Sequence, residues 1–172
     1  MAKRPRRSVL FVCMGNICRS PTGEGVFKAL VDERGLSDQI EVDSAGTIGY
    51  HTGNPADSRM CRAAQRRGVS LDSRARQVTR QDLSTFDLVI AMDRANYDDL
   101  IALGPDPEEH EKIRMLGEFL PAHVGSNPGP YGVPDVPDPY YGGPDGFEEV
   151  LDMVESACPA ILDALLHPNG ES

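Results

Sequence analysis

The sequence predicts an α/β fold: a single three-layer domain with a four-stranded parallel sheet, helices on both faces, and an anion-binding loop between the first strand and the first helix. Three observations predict it. Short apolar runs of strand-forming residues alternate with helical stretches, the first run passes directly into a loop bearing a cysteine and an arginine, and 172 residues suit one core.

Val9-Leu10-Phe11-Val12 is continuously apolar, the pattern of a strand buried on both faces. A loop from Cys13 to Arg19 follows, and Ser20-Pro21 reads as an N-cap with proline at the first helical position. That helix is expected to reach about Arg34, with Val26, Phe27, Leu30 and Val31 inward and Gly35 ending it. Ile40-Glu41-Val42 predicts the second strand, followed by a glycine-rich loop through Tyr50. Asn54-Pro55 repeats the cap-then-proline signal for a helix to about Arg67. Phe86 to Met92 is the third strand, Arg94 to Leu103 a helix closed by Gly104-Pro105, and Lys112 to Leu116 the fourth strand. Residues 121–146 hold seven prolines and six glycines and predict a long loop, a place where function concentrates. The last helix starts near Gly146, and Pro159 predicts a kink in it or two shorter helices.

Composition narrows the partners. A formal net charge of -10 repels polyanions, so nucleic acid and anionic membrane surfaces are not expected partners. Seven arginines between Arg59 and Arg80 face one acid, Asp72, which reads either as a docking face for acidic substrates or as a solvated helix face plus loop. Cys13, Cys18, Cys61 and Cys158 lack the spacing of a disulfide framework or a zinc site, so reduced thiols in a cytoplasmic protein are expected. His51, His110, His123 and His167 show no metal-ligand spacing, and no metal or cofactor is expected. A monomer is the default.

The run Cys13-Met14-Gly15-Asn16-Ile17-Cys18-Arg19-Ser20-Pro21 sets a thiol and a guanidinium on one loop between a strand end and a helix start. Loop amides and the helix dipole converge there on an anion, and Arg19 offers a planar fork for two phosphate oxygens. The same groups favour a Cys13 thiolate, a nucleophile, over the thiol. Ser20 is placed to donate to that sulfur. Gly15 is expected to take a positive φ with close backbone approach, and the Asn16 amide to brace the loop. Cys13 alone reads as a buried structural thiol; Arg19 and the strand-loop-helix setting favour an anion site.

The run VLFVCMGNICRSP resembles the active-site signature of the low-molecular-weight protein tyrosine phosphatases. Asp43-Ser44-Ala45-Gly46-Thr47, Ala75-Arg76-Gln77, Met92-Asp93 and Asp138-Pro139-Tyr140 are similar to further segments of that family, in order, from about Ser8 to about Leu166. The resemblance implies a phosphatase domain over 8–167, a flexible basic extension over 1–7 and a tail over 168–172. It implies metal-independent hydrolysis of phosphotyrosine in proteins, with Cys13 as nucleophile, Arg19 as phosphate clamp and Asp138 as proton donor. Met14, Gly15, Asn16, Ile17, Cys18 and Ser20 complete the phosphate-binding loop, and Tyr50 and Tyr140 are implied pocket walls. It also implies Cys18 as a reversible disulfide partner of Cys13, and makes Tyr141 similar to a position that is itself phosphorylated in some members. Ser73 departs from the pattern, standing where many members have a histidine that steadies the loop asparagine.

Three alternatives stay open from sequence. A thioredoxin-coupled arsenate reductase needs a near pair of further cysteines, which Cys61 and Cys158 do not form. A protein arginine phosphatase favours threonine where Ile17 stands. A phosphoprotein-binding module without turnover needs neither a nucleophile nor an acid.

Overall fold

A computed structural model of the chain describes residues 6–104, 106–121, 133–140 and 143–168. Its strands are β1 (Arg7–Cys13), β2 (Ile40–Gly46), β3 (Leu88–Ala91) and β4 (Ile113–Met115). They form one parallel sheet in the order β2-β1-β3-β4. The helices are α1 (Arg19–Glu33), α2 (Ser58–Gln65), α3 (Arg80–Thr85), α4 (Arg94–Leu103), α5 (Pro107–Lys112) and α6 (Pro144–Leu166), with a 3-10 turn over Leu116–Phe119. The expected four-stranded, three-layer architecture is present.

Side-chain alternation along β1 explains why its apolar run is unbroken. Val9, Phe11 and Cys13 turn to one face, where they join Phe27 of α1, Met60 of α2 and Val150, Val154 and Ile161 of α6. Leu10 and Val12 turn to the other, against Leu83 of α3 and Leu100 of α4. Because β2 lies on one side of β1 and β3 on the other, the connections diverge at the carboxyl end of β1. That divergence leaves a crevice there, the usual ligand site of an open parallel sheet.

Several expected boundaries move. The α1 N-cap is Cys18, not Ser20, because the Ser20 hydroxyl is fully buried and spent on the loop. Pro21 still lies in the first turn, where its missing N–H is harmless. Asn54 and Pro55 do not start α2: the Asn54 carbonyl accepts from Ala75 N, Pro55 bridges Arg74, and Asp57 caps the helix through the amides of Arg59 and Met60. α3 and α5, six residues each, had no apolar periodicity long enough to predict them. Pro159 does not split α6, which runs 23 residues. Val154, Ala157, Cys158, Ile161 and Leu162 are buried around it, and that packing outweighs a proline penalty of about 3 kcal/mol.

The arginine-rich stretch resolves toward internal pairing. Arg67 meets Glu148, Asp152 and Glu155 of α6, Arg66 also meets Glu148, Arg76 joins Asp43 and Asp82, and Arg80 faces Asp106 and Glu109. These pairs tie the end of α2, and the segment after it, to their neighbours.

Candidate active site

Cys13 is the last residue of β1, only 3% exposed, yet its sulfur does not end in hydrocarbon. Asn16 N donates to Sγ at 3.2 Å, and the Ser20 hydroxyl lies 3.0 Å from it. The loop turns back at Asn16, whose φ of 58° is the one positive value at a non-glycine among the described residues. Gly15 does not take the positive φ expected of it. It sits close to its neighbour, since a Cβ there would stand 3.1 Å from His51 Cδ2 and the imidazole would have to give by a few tenths of an ångström.

Asn16 carries the bracing. Its side-chain N–H groups donate to Ser20 Oγ at 2.7 Å and Ser44 Oγ at 3.0 Å, while Oδ1 accepts from Arg76 N at 3.0 Å. Ser44 in turn donates to the buried Glu24 carboxylate at 2.6 Å, and Lys28 neutralises Glu24 from one helical turn on. Here three bonds fix the asparagine without a histidine at position 73. Thr47 N and Ile48 N bond the Cys13 and Met14 carbonyls, pinning the loop to the end of β2. Among the described residues, the amides of Met14, Gly15, Ile17 and Cys18 find no acceptor, and all four residues line one pocket. Unpaired amides on a concave loop at a helix start form a cradle for an anion.

Arg19 enters the pocket from the first turn of α1, 3% exposed. Its Nη1 donates to Asp93 Oδ2 at 2.6 Å and to the Val136 carbonyl at 3.0 Å. Asp93 uses its other oxygen to cap α4 through Asn96 N. The guanidinium plane is therefore fixed by two elements far apart in sequence, with Nη2 directed toward Asp138 Oδ2 at 3.8 Å. Val136 N also bonds the Met92 carbonyl, which holds the 133–140 segment to the end of β3.

Asp138 sits at the pocket mouth, its side chain 35% exposed, with Oδ1 accepting from Tyr140 N. The pocket holds about 400 Å³ of unfilled space, counting its open mouth, and is lined by Cys13, Met14, Gly15, Ile17, Cys18, Arg19, His51, Asp138 and Tyr140. Tyr140 thus stands on the wall, whereas Tyr50 does not. Tyr50 is 83% exposed and rests edge-on against His51, which takes the lining position. The turn at Gly49–Thr52 rotates Tyr50 outward and its neighbour inward. Tyr141 and His123 lie outside the described residues. Burial, reinforced by the nearby charges of Asp57 and Cys13, pushes the Cys18 thiol well up. Cys61, half-buried in α2, and Cys158, pushed up to about 12 by burial in α6, do not line the pocket.

Residues with no predicted role include Asp93, Glu24 and His51. Asp93 entered the sequence reading only as part of the Met92-Asp93 segment, and nothing in sequence linked it to an arginine 74 positions earlier.

A buried thiol and a clamped guanidinium on one amide-lined loop, with a carboxylate opposite, suit a phosphoryl group, and the parallel sheet that presents them defines a cysteine-dependent phosphatase. The family model described as low molecular weight phosphotyrosine protein phosphatase matches residues 8–169, and the chain belongs to that family. It is similar to the low molecular weight protein-tyrosine-phosphatase of Streptomyces coelicolor, 46% identical, covering 91% of this chain and 92% of the relative. The human low molecular weight phosphotyrosine protein phosphatase is 39% identical, covering 95% and 98%. The crystal structure of a protein tyrosine phosphatase from Entamoeba histolytica with Hepes in its active site superposes with a TM-score of 0.86 at 38% identity, covering 94% and 98%.

Proposed function

We propose that this phosphatase hydrolyses phosphotyrosine through a phosphocysteine on Cys13, with Arg19 holding the transferring group and Asp138 moving the proton. The observation that carries this reading is the convergence on one pocket of the Cys13 sulfur, four unpaired loop amides, Arg19 and Asp138.

The Cys13 thiolate attacks phosphorus, the P–O bond to the aryl group breaks, and the leaving oxygen takes the proton of a neutral Asp138. Loop amides and Arg19 meet the charge on the equatorial oxygens. Asp138, now ionised, accepts a proton from water as that water attacks the phosphocysteine. The P–S bond breaks, the Ser20 hydroxyl stabilises the departing thiolate, and inorganic phosphate leaves. Ile17 has no hydroxyl, and with Met14 and Tyr140 it gives the mouth apolar contacts suited to an aryl ester. Neither Cys61 nor Cys158 lines the pocket, which favours ester hydrolysis over an arsenate reduction that needs a pair of relay cysteines.

The test is leaving-group dependence. Asp138→Ala should lower kcat/KM, which reports the steps through departure of the leaving group, about 10²–10⁴-fold for phosphotyrosine and far less for aryl phosphates with acidic phenols, which depart without protonation. Equal losses along the series would place the acid elsewhere.

Cys18 is proposed as a redox guard. Peroxide converts the Cys13 thiolate to a sulfenic acid, and the Cys18 thiol condenses with it, giving a disulfide and water. Wild type treated with peroxide should regain activity in dithiothreitol, while Cys18→Ser should recover much less; equal recovery removes Cys18 from this role. Four free thiols support a reducing, cytoplasmic setting as the place of work. No helix among the described residues is long and apolar enough to cross a membrane.

A further inference from the structure

The exposed apolar side chains of this protein are not scattered. Among the described residues four large hydrophobic side chains are exposed: Met14, Ile48, Tyr50 and Tyr140, at 44%, 42%, 83% and 37%. All four gather at the pocket mouth. Met14 and Tyr140 line the pocket, Ile48 N bonds the Met14 carbonyl, and the Tyr50 ring packs at 4.8 Å on His51, itself a lining residue. Single exposed hydrophobics need no explanation, but a set confined to one site marks a contact surface.

The exposure is built into the backbone. The 46–53 segment that carries Ile48 and Tyr50 is pinned by Gly46 N to the Arg76 carbonyl, by Gly53 N to the Ala75 carbonyl, and by the Gln77 side chain to the Thr47 carbonyl. Thr52 closes the turn on the Gly49 carbonyl through both its amide and its hydroxyl. Ile48 and Tyr50 are thus held facing solvent beside the pocket instead of folding back on the core.

Charge at the mouth points the same way. Arg59, whose guanidinium lies 5.4 Å from the Tyr140 ring centre, is engaged by the Asp57 carboxylate at 3.0 Å and by the Tyr140 carbonyl at 3.2 Å. It is not left to attract an acidic side chain, and the protein's net charge of -10 repels acidic peptides.

We propose that Ile48 and Tyr50, with the outer edge of Met14, form a subsite for an apolar side chain next to the phosphotyrosine, so that the preferred substrates carry phosphotyrosine flanked by aliphatic or aromatic residues. This rests on the phosphotyrosine reading above. With the ring in the pocket, the neighbouring residue of an extended peptide emerges about 3.5 Å along the chain, at the rim. Burying its side chain there removes apolar surface on both partners from water.

The test compares phosphotyrosine peptides that differ only in the flanking residue (leucine, alanine or glutamate), with p-nitrophenyl phosphate as a probe of the pocket alone. Leucine-flanked peptide should exceed alanine-flanked in kcat/KM by about 5–10-fold, the worth of a partly buried aliphatic side chain, with glutamate-flanked lowest. Ile48→Ser should reduce that ratio to near one without altering turnover of p-nitrophenyl phosphate, and Tyr50→Ala should reduce it likewise. Equal rates for the three peptides, or a ratio that survives both substitutions, would overturn the subsite while leaving the phosphatase reading intact. No turnover of p-nitrophenyl phosphate by wild type would overturn the reading on which the subsite depends.

Discussion

Cys13→Ser abolishes turnover of phosphotyrosine and of p-nitrophenyl phosphate alike, with an expected loss of at least about 10⁴-fold in kcat. A serine hydroxyl keeps the shape, can accept from Asn16 N, and can share a hydrogen bond with Ser20 Oγ. A neutral hydroxyl with no base beside it is far less nucleophilic than a thiolate, although its oxygen keeps its lone pairs. The loop itself is held by Asn16, Ser44 and Arg76 N, none of which depends on sulfur. Phosphate should therefore still bind, and its dissociation constant measured by calorimetry should stay within a few-fold of wild type. Residual turnover in chelator at a tenth of the wild-type rate or more would remove Cys13 from the reaction.

Arg19→Lys is the second large effect. Arg19 satisfies Asp93 and the Val136 carbonyl with one nitrogen and keeps the rest of its fork for the ligand. A lysine ammonium has one nitrogen for all three tasks and no plane to align two oxygens. Loss of two charge-assisted hydrogen bonds, about 1.5–3 kcal/mol each, predicts a fall of roughly 10²–10⁴-fold in kcat/KM. Phosphate binding should weaken with it, unlike in Cys13→Ser. A lysine variant with near-normal phosphate affinity would mean that the loop amides alone hold the anion.

Much of this site was legible because its parts are contiguous. Strand, loop and helix start occupy 9–21, so the chemistry of Cys13, Arg19 and Ser20 follows from local spacing. Asp138 was legible only through resemblance, since an Asp-Pro pair on its own reads as a turn. What stayed hidden is what distant elements contribute. Asp93 reaches Arg19 from the start of α4, Val136 reaches it from a segment 117 residues away, and Glu24 acts only through Ser44 and Asn16. None of these leaves a periodic or spaced signal. The same holds for the exchange of Tyr50 and His51, where one turn decides which of two adjacent rings faces the pocket. In the fold, long apolar elements were readable and the six-residue helices α3 and α5 were not. Pro159 does not divide the helix because local propensity yields to the burial on both sides of it.

The central claim is that the phosphoryl group passes through the sulfur of Cys13. Rapid acid quench of the Asp138→Ala protein during turnover of p-nitrophenyl phosphate, followed by peptide mass analysis, tests it directly. Asp138→Ala slows breakdown of the intermediate, because water loses its base, while this leaving group departs unaided. The account predicts one phosphoryl group on the peptide bearing Cys13 and none on any other. A steady-state reaction that leaves that peptide unmodified, or a phosphoryl group found on a different residue, would contradict it.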